Sequence, residues 1–145
     1  MLFYAHPSCN YHHLHFRGSF IYLSNFGVAH QFGRRISQFQ NTQFELAQMQ
    51  ANTEAAKLLV YQAACAKDDH EPFSHKAAMA KLVASRNASD VTRRCLQLYG
   101  GYGYTKDYPI ERMMRDAKIT EIYEGTSEVQ MMVIAVRRLR SSWHI

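Results

Sequence analysis

Between Asn41 and Glu71 the chain contains neither glycine nor proline, and Phe44, Ala47, Ala51, Ala55 and Leu58 recur at three- and four-residue steps. Apolar residues at that spacing line one stripe of an α-helix, and so long a run without a breaker leaves no place for a tight turn. The pattern predicts a long amphipathic helix with that stripe buried. Thr42 and Glu45 suit a capping box at its start, each side chain satisfying a backbone N–H that the helix leaves unpaired. Asp68, Asp69, His70 and Pro72 interrupt it.

A second helix is expected from about Ser74 to Leu98, where Ala78, Leu82, Ser85, Ala88, Val91, Cys95 and Leu98 keep one face. Gly100 and Gly101 end it. Pro109 fits the first turn of a shorter helix running to about Lys118. A last helix starts near Thr126 or Ser127, with Glu128 in its positive first turn and Val129, Met132, Val133, Val136 and Leu139 as its apolar stripe. Helices joined by short connections, with no convincing strand after residue 40, give an all-α fold, an antiparallel helical bundle.

Composition agrees with one domain. The chain has 145 residues, 47% of them hydrophobic and 20% charged. It contains no run of about 18 apolar residues, so no membrane span is expected. The net charge of +5 is spread along helices among acidic residues, which argues against nucleic acid. Arg137, Arg138 and Arg140 make one tight basic cluster where the last helix is expected to end, a favourable place for cations. Cys9, Cys65 and Cys95 are odd in number and form no CxxC, which suits a reducing compartment. His6, His12, His13, His15 and His30 with Cys9 match no zinc-ligand spacing, so no metal site is expected.

Residues 1–26 differ from the rest. They hold one Arg and no Lys, Asp or Glu, and they show no sustained helical period, signal peptide or transit peptide. The chain therefore divides into an unassigned segment, 1–26, and a helical domain, 27–145.

Several pieces follow one another in a specific order: Gln31-Phe32-Gly33 with Ile36, Phe39 and Gln40; Gln97-Leu98-Tyr99-Gly100-Gly101-Tyr102-Gly103; Tyr108-Pro109; Met114-Arg115-Asp116-Ala117; and Ile122-Tyr123-Glu124-Gly125-Thr126-Ser127-Glu128. Together they resemble the C-terminal helical domain of the acyl-CoA dehydrogenases, most nearly the short-chain or short/branched-chain enzymes. The resemblance runs from about residue 30 to the C-terminus. It implies an FAD-dependent α,β-dehydrogenation of acyl-CoA thioesters in which Glu124 removes the α-proton while the β-hydride passes to the flavin. A carboxylate in that role needs desolvation and aim, because an α-proton is only weakly acidic. The resemblance also implies that the backbone N–H of Glu124 bonds the thioester oxygen and that Gly125 leaves room for the substrate. Phe32, Gln40, Gln97, Gly100, Gly101, Thr126, Ser127 and Glu128 are implied FAD contacts, those from Gln97 to Gly101 with the FAD of a neighbouring subunit. Electron-transferring flavoprotein and a homo-oligomer are the implied partners, and the bacterial cytoplasm or the mitochondrial matrix the implied location.

Taken alone, Glu124-Gly125-Thr126 is a helix junction and the glycine cluster a helix stop. The ordered set favours the catalytic reading. Two departures stand against it. Ala29 occupies the place of a family Arg that pairs with the FAD pyrophosphate, a bidentate contact that alanine cannot make. The N-terminal helical domain, the β-domain and the first helix of the bundle are not recognisable. The expectation is a fragment truncated on its N-terminal side and inactive alone. Its rivals are a non-enzymatic oligomerisation module and part of an acyl-CoA oxidase or flavin monooxygenase. Glu124 favours a dehydrogenase over a monooxygenase, which needs no base there.

Overall fold

The computed structural model describes residues 30–142. The expectations for residues 1–26, for the histidine cluster upstream of His30 and for Ala29 lie outside the described residues, as does the side chain of Arg140. A two-residue hairpin opens the described chain: β1 (His30–Gln31) pairs antiparallel with β2 (Arg34–Arg35), His30 opposite Arg35. A 3₁₀ turn (Ile36–Gln38) leads into α1 (Gln40–Asp68). Then follow α2 (Ser74–Tyr99), a single helical turn α3 (Gly101–Tyr104), α4 (Ile110–Ile119) and α5 (Ser127–Ser142). The helical bundle expected from the periodicity is present, and α2 lies at its centre, in contact with α1, α3, α4 and α5.

Helices α1 and α2 run antiparallel, as two cross-links show. The Asn87 amide donates to the Thr53 hydroxyl at 3.1 Å, and Arg94 Nη1 donates to Glu45 Oε2 at 2.7 Å. The Thr53 hydroxyl in turn donates to the Met49 carbonyl at 2.8 Å, so the buried pair is satisfied within the interface. Arg94 also meets Asp90 at 2.7 Å. Burial works against the Asp90 carboxylate, but hydrogen bonds from Arg93 and Arg94 outweigh it and hold its carboxyl below the ordinary 3.8. Asp90 therefore stabilises the fold above that value, a contribution lost as pH falls through the lowered folded pKa.

The face of α1 that packs on α2 is not the stripe expected from its larger apolar residues. Thr42, Met49, Thr53, Ala56, Ala63 and Ala66 are buried, whereas Phe44 and Leu58 are 63% and 67% exposed and Ala47, Ala51 and Ala55 also face out. Small residues let two helix backbones approach closely, and on α2 Ala80 shares the face of Asn87. Helix α1 has apolar residues on both faces, so periodicity alone selected the wrong one. The capping box is also absent: α1 starts one turn earlier, at Gln40 with Phe39 at the N-cap. Thr42 is inside the first turn and buried, and Glu45 is bound to Arg94 instead. On α5 the expected stripe, Val129, Met132, Val133, Val136 and Leu139, is exposed. The α2 stripe is buried or half-buried as expected.

Met49, Val91, Cys95 and Ile110 form a buried apolar cluster, flanked by Leu46, Leu96, Leu98, Tyr99 and Met113. Burial pushes the Cys95 thiol up to about 11, so at neutral pH it is a packing group and not a nucleophile. Gly103 lets the α3 turn fold against the end of α2, since a Cβ there would lie 2.6 Å from Tyr99 Cβ and 2.9 Å from the Leu96 carbonyl. Among the described residues no helix is long and apolar enough to cross a membrane, and no group of three or more His, Cys, Asp or Glu is placed to hold a metal ion.

Replacing Thr53 by Val removes the acceptor of a buried amide while keeping the shape. We expect Thr53→Val to cost about 1–3 kcal/mol in urea unfolding, the usual penalty of stranding a buried polar group. Adding Asn87→Leu should recover part of that loss.

Candidate functional site

The segment between α4 and α5 is a tight loop fastened at both ends. Helix α4 gives out over Thr120 and Glu121, and the amides of Ile122 and Tyr123 both reach back to the Ile119 carbonyl at 3.0 Å. At the far side the Ser127 amide donates to the Glu121 carbonyl at 3.1 Å, closing the loop on itself. Helix α5 then begins, the Gln130 amide donating to the Thr126 carbonyl at 3.0 Å, so Thr126 holds the N-cap position expected for it.

Glu124 sits at the tip with φ +55°, followed by Gly125 at φ +91°. A left-handed backbone is uncommon for a residue with a Cβ and persists only where its surroundings hold it. Here the hold is visible. The Gln130 side-chain amide donates to the Gly125 carbonyl at 3.0 Å and to the Glu124 carbonyl at 3.3 Å. From α2 the Lys81 ammonium donates to the same Gly125 carbonyl, and it lies 5.6 Å from the centre of the Tyr123 ring. The Glu124 side chain is exposed. The desolvation that sequence reasoning asked of a base is not supplied by the described residues.

Of the other residues expected at the site, Ser127 is buried and its hydroxyl has no hydrogen-bond partner among the described residues. Glu128 is exposed in the first turn of α5. Its own backbone N–H and the Thr126 hydroxyl hold its carboxyl below the usual range. Phe32 and Gly33 form the two-residue turn between β1 and β2, both at positive φ, and the Phe32 ring is 86% exposed. Gln40 is exposed in the first turn of α1, and Gln97, Gly100 and Gly101 are exposed around the end of α2.

These residues fall into two groups. Because α1 and α2 are antiparallel, with Thr53 opposite Asn87 and Glu45 opposite Arg94, Gln40 lies at the level where α2 ends. Gln40 and the Gln97–Gly101 stretch thus share one end of the bundle. The Glu124 loop is tied to Lys81, sixteen positions earlier on α2 than Gln97, which at the rise of a helix is about 24 Å away. The described chain does not bring the two groups together.

Comparison with known proteins decides the family. Residues 23–139 match the model of the acyl-CoA dehydrogenase C-terminal domain. The chain belongs to the acyl-CoA dehydrogenase family. It is 56% identical over 110 residues to the short-chain specific acyl-CoA dehydrogenase of Clostridium acetobutylicum, a match that covers 76% of this chain and 29% of that enzyme. Its fold superimposes on butyryl-CoA dehydrogenase from Megasphaera elsdenii with a TM-score of 0.79 at 50% identity, covering 81% of this chain and 30% of that one. A chain in the structure of the electron transferring flavoprotein of Acidaminococcus fermentans gives a TM-score of 0.82 at 49% identity, over 86% of this chain and 33% of that one. The chain therefore spans about 29% of the length of the curated relative.

Acyl-CoA dehydrogenases are FAD flavoproteins. Two features here fit such a group. A Cβ built on Gly100 or Gly101 would meet nothing within 4 Å, which leaves the backbone at the end of α2 open to close approach. The unpartnered Ser127 hydroxyl stands in the first turn of a helix, where N–H groups favour anionic oxygens. Lys81, Tyr123 and Gln130 were not identified from the sequence as site residues. The link between Lys81 and Gly125 spans 44 positions, and no local spacing signals it.

A Cβ on Gly125 would lie 2.9 Å from Gln130 Nε2 and 3.4 Å from Val129 Cγ1 on a backbone already at φ +91°. Gly125→Ala should therefore lower stability by about 1–3 kcal/mol. Gly101→Ala, in open space at the start of α3, should change it by under about 1 kcal/mol. Paired thermal melts measure the contrast.

Proposed function

We propose that this chain supplies the base-bearing helical domain of an FAD-dependent acyl-CoA dehydrogenase, with Glu124 as the base. The observation that carries the reading is the held loop: an exposed carboxylate on a left-handed backbone, with the two carbonyls of Glu124 and Gly125 fastened by Gln130 and Lys81. Strain maintained by several contacts at the tip of a loop is the arrangement expected where a side chain must be aimed.

In this reading the Glu124 carboxylate takes the α-proton of an acyl-CoA thioester. The backbone N–H of Glu124 donates to the thioester oxygen and stabilises the negative charge that develops there. Gly125 admits the substrate beside the carboxylate. FAD, when bound, would supply the acceptor for the β-hydride, and with the α-proton on Glu124 the thioester would gain a Cα=Cβ double bond. Bound substrate and flavin would supply the dry surroundings that the described residues do not give Glu124.

Ser127, Thr126 and Glu128 form one set of FAD contacts at the start of α5. Phe32, Gln40, Gln97, Gly100 and Gly101 form the other, at the far end of the bundle. Their separation of about 24 Å along α2 suits contacts to two different FAD molecules, the second bound mainly by a neighbouring subunit. The exposed apolar residues of α1 and α5 support a homo-oligomer. Exposed faces of that kind also favour the second reading, a bundle that assembles without catalysis. Electron-transferring flavoprotein is the proposed acceptor of the electrons. The flavin-ring and acyl pockets are assigned to the domains that the matched segment does not span, so the chain alone is proposed to be inactive.

The test is a hybrid in which residues 30–142 replace the corresponding segment of Megasphaera elsdenii butyryl-CoA dehydrogenase. The hybrid should reduce an electron-acceptor dye with butyryl-CoA, and Glu124→Gln should lower its turnover by about 10²–10⁴-fold without loss of FAD. An inactive hybrid that folds and binds FAD would favour the second reading.

A further inference from the structure

We infer that Lys81 is a positioning residue for Glu124, acting across the bundle from α2 through the Gly125 carbonyl. The inference rests on Glu124 being the base. Lys81 is half-buried on the face of α2 that meets the Glu124 loop, 44 positions away in sequence, and its ammonium donates to the Gly125 carbonyl. The Tyr123 ring, 5.6 Å from Nζ, is a second attraction on the same cation. Two features of the loop on either side of Glu124, the Tyr123 ring and the Gly125 carbonyl, thus converge on one charge.

What this fixes follows from the backbone. Lys81 and Gln130 pull on the Gly125 carbonyl from α2 and α5, and Gln130 also holds the Glu124 carbonyl. With both carbonyls held, the peptide planes on the C-terminal side of Glu124 and of Gly125 are restrained against turning. The positive φ values of +55° and +91° are retained. The angle at Glu124 sets the direction of its Cα–Cβ bond relative to the peptide plane before it. Losing Lys81 leaves Gln130, on the loop's own helix, as the remaining hold, and a left-handed Glu124 relaxes readily once its restraints weaken.

A hydrogen bond from a charged donor holds more strongly than a neutral one, and arginine keeps the charge, the donors and the affinity for an aromatic ring. In the full 145-residue chain, Lys81→Met should speed amide hydrogen exchange over residues 122–126 by about tenfold or more while exchange in the middle of α1 and α2 is unchanged. Lys81→Arg should keep the protection, and Gln130→Leu should loosen the same residues. In the hybrid enzyme, Lys81→Met should lower kcat by about tenfold to a hundredfold with KM within about twofold, and Lys81→Arg should restore most of it. Unchanged exchange in Lys81→Met would overturn the inference. So would a loosened loop with full kcat, provided Glu124→Gln still abolishes turnover. Turnover that survives Glu124→Gln would instead remove the base assignment, and this inference with it.

Discussion

The structure depends on the close antiparallel pairing of α1 and α2 through small and polar side chains. Thr53 and Asn87 share a buried hydrogen bond, and Ala56 on α1 and Ala80 on α2 flank it with small side chains. Arg94 fixes the same register from the edge, through Glu45 on α1 and Asp90 on its own helix. With α2 set in this way, its remaining faces receive α4 and α5, and the loop between those two helices is brought onto Lys81. The placement of Glu124 is thus a long-range consequence of how two helices pack far from it in sequence.

The same pairing separates the family's characteristic residues into two levels of the bundle. Gln40 and the Gln97–Gly101 stretch gather where α1 begins and α2 ends, and the Glu124 loop lies about 24 Å along α2 from them. Both groups are exposed on the described chain, so each is open to a ligand or a further domain. The matched segment is about 29% of the curated relative's length.

Much of this was legible in the sequence, for physical reasons that can be named. Breaker-free runs marked α1 and α2, Gly100 marked the end of α2, and Thr126 marked the start of α5, because glycine and cap residues act locally. The buried face of α1 was not legible. Its larger apolar residues, Phe44 and Leu58, point away from α2, and the interface uses threonine and alanine, which hydrophobic periodicity undercounts. The stripe on α5 misled in the same way, since Met132 and Leu139 face outward in the single chain. At the site, Glu124 and Gly125 stood out by the order of motifs around them, and the left-handed backbone at Glu124 is a new observation. Lys81 had no signal, because its partner lies on another element and the fold alone brings them together.

The most direct test of Glu124 as the base separates proton removal from hydride transfer. The 3-oxa analogue of butyryl-CoA has an acidic α-position and no hydrogen at the β-position, so it can exchange its α-proton but cannot be oxidised. In deuterated buffer the hybrid enzyme should place solvent deuterium at the α-carbon, followed by mass spectrometry, and Glu124→Gln should reduce that exchange by at least about a hundredfold. Equal exchange in the two proteins would show that another group removes the proton, and would contradict the account given for Glu124.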